Sequence, residues 1–121
     1  MQIAQKNFYK KFLGRAGEVK ATEFLKKKGY KIIKTNYKTY FGEIDIIAQD
    51  GEYTVFIEVK TRTDDEFGTP SEAVTTIKQQ KYYRIATEFL QKAKKLDTPC
   101  RFDVVEIENG QINHIIDAFC M

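Results

Sequence analysis

Residues 42–62 read GEIDIIAQDGEYTVFIEVKTR, and both the fold and the chemistry turn on how they pair. Apolar and polar residues alternate with the period of a strand on either side of Asp50-Gly51, a dipeptide that strongly favours a two-residue hairpin turn. With Asp50 and Gly51 as the turn, Gln49 faces Glu52, Asp45 faces Phe56 and Glu43 faces Glu58. Paired residues share a sheet face, as do residues two apart on one strand. Glu43, Asp45, Phe56, Glu58 and Lys60 then emerge together, opposite a core layer of Ile44, Ile46, Ala48, Val55, Ile57 and Val59. Asp45 and Glu58 become diagonal neighbours about 7 Å apart at the backbone, within reach of one shared cation.

A solvated sheet face would also carry such charges, and that is the default for an ordinary antiparallel hairpin. Ile47 and Phe56 on the charged face indicate that it is partly covered. Carboxylates gathered under cover repel one another unless a cation or a proton intervenes.

With 121 residues the chain is long enough for one core, so a single domain spanning 1–121 is expected. No run reaches the length of a membrane span, and the N-terminal MQIAQKNFYKKFLGR lacks the apolar centre of a signal peptide. A cytoplasmic protein is therefore the expectation. Cys100 and Cys120 make neither a metal-ligand spacing nor a disulfide framework, and the single His114 cannot build a histidine-rich site. Charge is unevenly spread. Residues 1–38 hold eleven Lys/Arg against two acids, a balance of +9, whereas residues 39–76 hold two against nine, a balance of −7. A basic flank beside an acidic centre suits a polyanion held near a cation site, although solubilising lysines on a helix give the same count.

In chain order, a first helix is expected over about residues 6–28, stopped by Gly29. Leu13, Gly17, Ala21 and Leu25 form its apolar stripe, widened by Ala16, Phe24 and the stem of Lys28. Glu18 sits at the edge of that stripe, either aimed along the groove between helix and sheet or paired on the surface with Arg15. Gly14 and Gly17 weaken the helix and make sense where it approaches the sheet or a phosphate closely. A strand over Tyr30–Tyr37 leads through Thr39-Tyr40-Phe41-Gly42 into the hairpin. The segment 63–69 reads as an acidic loop, and Thr69-Pro70-Ser71-Glu72 as a capping box.

A second cap at Thr76 precedes a helix over about residues 77–95 that buries Tyr82, Ile85, Ala86, Phe89 and Ala93. Lys78 lies on its inner side near the start, where a lysine gains nothing from the helix dipole and an anion would. RFDVVEI and QINHIIDAF form two closing strands joined by Asn109-Gly110, with Cys100 opposite Phe119 and both thiols free. The crossover makes the fourth strand parallel to the third and right-handed. The result is an α/β fold, a mixed β-sheet of about five strands flanked by helices, in the order α-β-β-β-α-β-β.

That order, with Asp45 on the second strand and Glu58-Val59-Lys60 on the third, resembles the PD-(D/E)XK nuclease superfamily and its restriction-endonuclease-like core. Glu18 matches the carboxylate often found on that superfamily's first helix. The chain looks more closely like the YraN-like family of small bacterial proteins, itself related in pattern to archaeal Holliday-junction resolvases. The residues that carry this are Gly14-Arg15-Ala16-Gly17-Glu18, Gly42-Glu43-Ile44-Asp45, Glu58-Val59-Lys60-Thr61-Arg62, Phe67-Gly68-Thr69-Pro70, Lys78 and Arg101-Phe102-Asp103. Ile44 stands where the superfamily usually has a proline.

The resemblance implies a metal-dependent endonuclease acting on DNA, including branched or structured DNA. Asp45 and Glu58, with the carbonyl of Val59, supply hard oxygen ligands for Mg²⁺, with Mn²⁺ as a substitute. Glu18 completes the shell or serves a second ion, and Glu43 stands behind the ligands or is simply structural. Lys60 orients or deprotonates the attacking water, or neutralises charge building on the phosphate. Arg15, Arg62, Lys78 and Lys81 are the candidates for phosphate contact. A junction resolvase needs two active sites, so that version implies a homodimer. Two other readings stand beside it: a nucleic-acid-binding protein that keeps the fold without cleavage, and an interaction module whose acidic centre docks a basic partner.

Overall fold

The computed structural model describes the backbone of residues 2–62 and 75–120, and the side chains of residues 14–62 and 75–120. The acidic loop and the capping box expected at 63–72 lie outside the described residues. Helix α1 (Gln2–Lys27) is followed by strands β1 (Lys31–Thr39), β2 (Gly42–Asp50) and β3 (Tyr53–Arg62). Helix α2 (Thr76–Lys92) then leads to β4 (Cys100–Glu108) and β5 (Gln111–Phe119). One five-stranded sheet runs in the order β1-β2-β3-β4-β5, with β3 and β4 parallel and the other pairs antiparallel. This is the mixed α/β sheet expected from the sequence.

Each helix covers one face. Gly17, Ala21 and Leu25 of α1 are buried, whereas Ala16 and Lys28, expected to widen the stripe, are exposed. Ala21, Leu25 and Tyr30 pack with Ile46, Ala48, Val55, Ile57, Val105 and Ile107. The helix ends in a Schellman arrangement. Gly29 takes φ +95, its N–H donates to the carbonyl of Lys26, and that of Tyr30 donates to Leu25 at 3.0 Å. On the other face α2, capped by Thr75, buries Tyr82, Ile85, Ala86, Phe89 and Leu90. Leu90 takes the place expected for Ala93, which is exposed at the helix end. Each of the larger side chains contributes about 1.5–3 kcal/mol by leaving water.

Ile47 and Phe56 belong to this second core, so the hairpin's supposed polar face is largely a buried one. Ile44 also lies in the α2-side core while Ile46 lies in the α1-side core, although a regular strand would put them on one face. The reversal comes at Asp45 and the residue facing it on β1. The ladder pairs Thr35 with Ile46 and Tyr37 with Ile44, skipping Asn36, which adopts φ +53. A left-handed residue in one strand re-aims its neighbours, and asparagine tolerates that conformation.

The hairpin turn is displaced by one residue from the expected position. Asp50 pairs with Tyr53, leaving Gly51 and Glu52 as the turn with Gly51 at φ +57. Glycine at the first central position is the II′ pattern. Asp50 is retained in the strand because its carboxylate meets Arg101 at 3.1 Å. The register moves by two, an even number, so the assignment to faces survives from Ile46 to Ile57, and only Ile44, beyond the reversal at Asp45, leaves the expected core layer.

The second hairpin keeps its Asn109-Gly110 turn, both residues at positive φ. A register shift between Phe102 and Val104, with Asp117 at φ +55, pairs Phe119 with Phe102 and not with Cys100 as expected. Both cysteines are free thiols. No helix among the described residues is long and apolar enough to cross a membrane.

Candidate metal and nucleic-acid site

Beyond Ile46 the β2–β3 ladder stops, while β3 continues beside β4 as far as Arg62. The Val59 N–H at this splay donates to Asp45 Oδ2 at 2.8 Å, so a carboxylate substitutes for the missing ladder carbonyl. Glu18, Glu43 and Asp45 bring one carboxylate oxygen each within 4.8 Å of one another. Glu18 reaches this point because Gly17 lets α1 settle onto β3. A Cβ at Gly17 would stand 2.1 Å from Thr61 Oγ1. Gly14 has nothing within 4 Å, so its expected close approach belongs to Gly17 alone.

Electrostatics mark the same place. Burial pushes the Asp45 carboxyl up to about 7, opposed by the Val59 hydrogen bond and reinforced by Glu58 and Glu18. Glu18 is also raised, chiefly by burial, and the Asn36 side chain hydrogen-bonds it. Asn36 was not singled out from the sequence, yet it both reverses the strand and holds Glu18. An asparagine, a residue that tolerates the left-handed conformation, inside a strand of lysines, β-branched residues and tyrosine is the one signal that could have found it.

Glu58 lies on the α2 side. Lys78 Nζ donates to its Oε1. The Tyr82 phenol, kept protonated by burial beside Glu58 and Asp45, packs against it. Glu58 Oε2 is buried with no hydrogen-bond partner among the described residues. Glu58 is therefore adjacent to the carboxylate trio without belonging to it, and Glu43 takes the place expected for Glu58 beside Asp45 and Glu18. Glu43 was expected to face Glu58. The divergence of β2 from β3 carries it to Glu18 instead.

Two clefts meet at Glu43. One, of about 310 Å³, lies along α2 and is lined by Gly42, Glu43, Lys78, Lys81 and Tyr82 among others. The second, of about 920 Å³, runs between α1 and β1 past Arg15, Glu18, Asn36, Lys38 and Glu43. Arg15, Lys78 and Lys81 thus stand at the walls that flank the carboxylates. Lys60 and Arg62 are half-buried further along β3, outside both linings, with Glu106 and Glu108 as their register partners on β4. Glu106 is 5% exposed and shares the Lys60 face of the sheet.

Arg101 and Asp103 have a different role from the acidic site. Arg101 Nε donates to Asp103 Oδ1 at 2.9 Å, and its Nη2 donates to Tyr30 at 2.6 Å and to Asp50. His114 Nε2 lies 2.8 Å from Asp103 Oδ2, and Lys28 Nζ lies 2.9 Å from His114 Nδ1. An ammonium can only donate, so Nδ1 accepts and the Nε2–H points at Asp103. Burial works against the charge on Asp103, but hydrogen bonds from His114, Arg101 and the Asp117 backbone hold its carboxyl below the usual range. This network ties β4, β5, the first hairpin and the end of α1 together.

Hard oxygen donors converging at a splayed strand pair, with an orphaned carboxylate oxygen beside them, fit a divalent cation. The chain is similar over most of its length to several bacterial proteins. It is 48% identical to a UPF0102 protein of Caldicellulosiruptor saccharolyticus over 108 residues, covering 89% of this chain and 92% of that one. A UPF0102 protein of Thermodesulfovibrio yellowstonii is 49% identical, covering 88% of this chain and 95% of the relative. One from Symbiobacterium thermophilum is 52% identical, covering 81% and 83%. The model of the uncharacterised protein family UPF0102 matches residues 17–107, which include the carboxylates of the splay, the Lys78 cleft and the Arg101–Asp103 pair; the chain belongs to that family.

Proposed function

We propose that this protein is a metal-dependent nuclease that hydrolyses DNA phosphodiester bonds. The observation that carries the reading is the convergence of Glu18, Glu43 and Asp45 within 4.8 Å at the end of the β2–β3 pair, beside the unpartnered oxygen of Glu58. Carboxylates left facing a phosphodiester would repel it. A cleft that combines them with Arg15, Lys78 and Lys81 is suited to a polyanion only with a cation between.

Asp45, Glu58, Glu18 and the Val59 carbonyl would hold Mg²⁺ or Mn²⁺, with Glu43 as a further ligand. Such an ion, when bound, withdraws charge from the phosphate and makes a bound water a better nucleophile. Asp45 is held in place by the Val59 N–H, so its free oxygen is presented without a search among rotamers. Lys60, the register partner of Glu106, would orient water or balance charge on the phosphate from the β3 side. Arg15 and Lys81 contact flanking phosphates and set register, not sequence.

The test offers purified protein linear, flapped and four-way-junction DNA with Mg²⁺ or Mn²⁺, beside Asp45→Ala and Lys60→Ala variants. Metal-dependent cleavage lost in both variants is expected. Binding without cleavage in every metal would overturn the enzyme and leave a nucleic-acid-binding protein.

A further inference from the structure

Lys78 and Glu58 form an asymmetric pair. The carboxylate side chain is 5% exposed and fixed on a central strand, whereas the lysine side chain is 48% exposed on a flexible stem. Lys78 takes Oε1, and Oε2 has no partner among the described residues. A buried carboxylate is thus held on one oxygen by a charge that can leave, with the neutral Tyr82 phenol as its other polar neighbour. The same lysine lines the α2-side cleft with Lys81 and Glu43, so the space it would enter is already open.

We propose that Lys78 holds Glu58 in place of a divalent cation, yields Oε1 when one binds, and then turns into the α2-side cleft to hold a phosphate of the substrate. This rests on the metal-dependent reading above. The physical reason is that an ammonium and a divalent ion on one carboxylate repel each other, and only the ammonium is mobile on a four-carbon stem. Lys78 is in these terms a positioning residue that couples metal occupancy to substrate binding. The coupling is reciprocal: whatever Lys78 takes from metal affinity is returned as phosphate affinity once the ion is in place.

Mn²⁺ titration by calorimetry and electron paramagnetic resonance tests the exchange. Lys78→Met and Lys78→Gln are each expected to bind Mn²⁺ about fivefold more tightly than the native chain, the scale of one lost half-exposed ion pair. Lys81→Met, which removes the same charge from the same cleft without touching Glu58, changes Mn²⁺ affinity less than about twofold. In a Lys60→Ala background, affinity for a short DNA duplex is expected to fall severalfold on adding Lys78→Met when Mn²⁺ is present, and little in its absence. Equal or weaker Mn²⁺ binding by both Lys78 variants, or a DNA defect indifferent to Mn²⁺, overturns the exchange while leaving a metal-dependent nuclease standing. No Mn²⁺ binding by the native chain removes both.

Discussion

Replacing Gly17 by alanine tests the contact on which the position of Glu18 depends. Alanine normally stabilises a helix interior by about 0.5–1 kcal/mol relative to glycine. At Gly17 the added Cβ would stand 2.1 Å from Thr61 Oγ1, far inside contact distance. Thr61 is β-branched, so its χ1 is stiff, and its hydroxyl is buried without a hydrogen-bond partner among the described residues. Overpacking of this kind costs about 1–3 kcal/mol, leaving Gly17→Ala destabilised by about 1–2 kcal/mol after the helix gain. For a chain of this size the melting temperature should fall by about 3–6 °C per kcal/mol.

Gly14→Ala, on the same helix with nothing within 4 Å, should instead rise by a few degrees. Thr61→Ala removes the offending oxygen, and the Thr61 Cβ would lie 3.5 Å from the new methyl, an ordinary contact. Gly17→Ala/Thr61→Ala should therefore recover most of the loss, a coupling of about 1–2 kcal/mol in a double-mutant cycle read by thermal or urea unfolding. The single variant should also weaken Mn²⁺ binding, since α1 can relieve the clash only by lifting Glu18 from Asp45. Gly17→Ala as stable as Gly14→Ala, or a double variant no better than Gly17→Ala, would refute the reasoning.

Two further outcomes follow from the charges. The Asp45 carboxyl sits at about 7 in the fold against 3.8 for an ordinary carboxyl, so the fold prefers it protonated. That preference is fully present below about pH 4 and is lost as pH rises through 7. Asp45→Asn in EDTA should accordingly melt above the native chain at pH 8, and the two should converge near pH 4. A gap that does not change with pH across that range would contradict the assignment. Asp103 is fully buried and accepts from Arg101, His114 and the Asp117 N–H, so Asp103→Asn should lower stability by about 2–4 kcal/mol. Urea midpoints measure that loss, and Mn²⁺ affinity of the folded variant should be unchanged, which separates the network from the acidic site.

Period-two patterning, Asn109-Gly110, the Gly29 stop and the Leu25 stripe are local signals, and they sufficed for the element order and the parallel β3–β4 pair. The same holds for Asp45 and Glu58 as neighbours across a hairpin. Any even shift of register keeps them on one side, so a turn displaced by one residue, which moves the register by two, does no harm. The turn itself was misplaced because Asp50 answers to Arg101, 51 residues away, and no dipeptide preference contains that ion pair.

The membership of the site was a tertiary matter for a similar reason. Glu43 left Glu58 for Glu18 because β2 is parted from β3 over the residues that precede Ile46, and that departure depends on Asn36 in the neighbouring strand and on Asp45 taking the Val59 N–H. Lys78 could be read as facing inward from its helix, but its hold on Glu58 depends on how α2 docks on the sheet. Chain order and periodicity decide which residues can meet. Which of them do meet is decided by packing, because carboxylates a few ångströms apart are placed by helix docking and strand divergence, and neither has a sequence period.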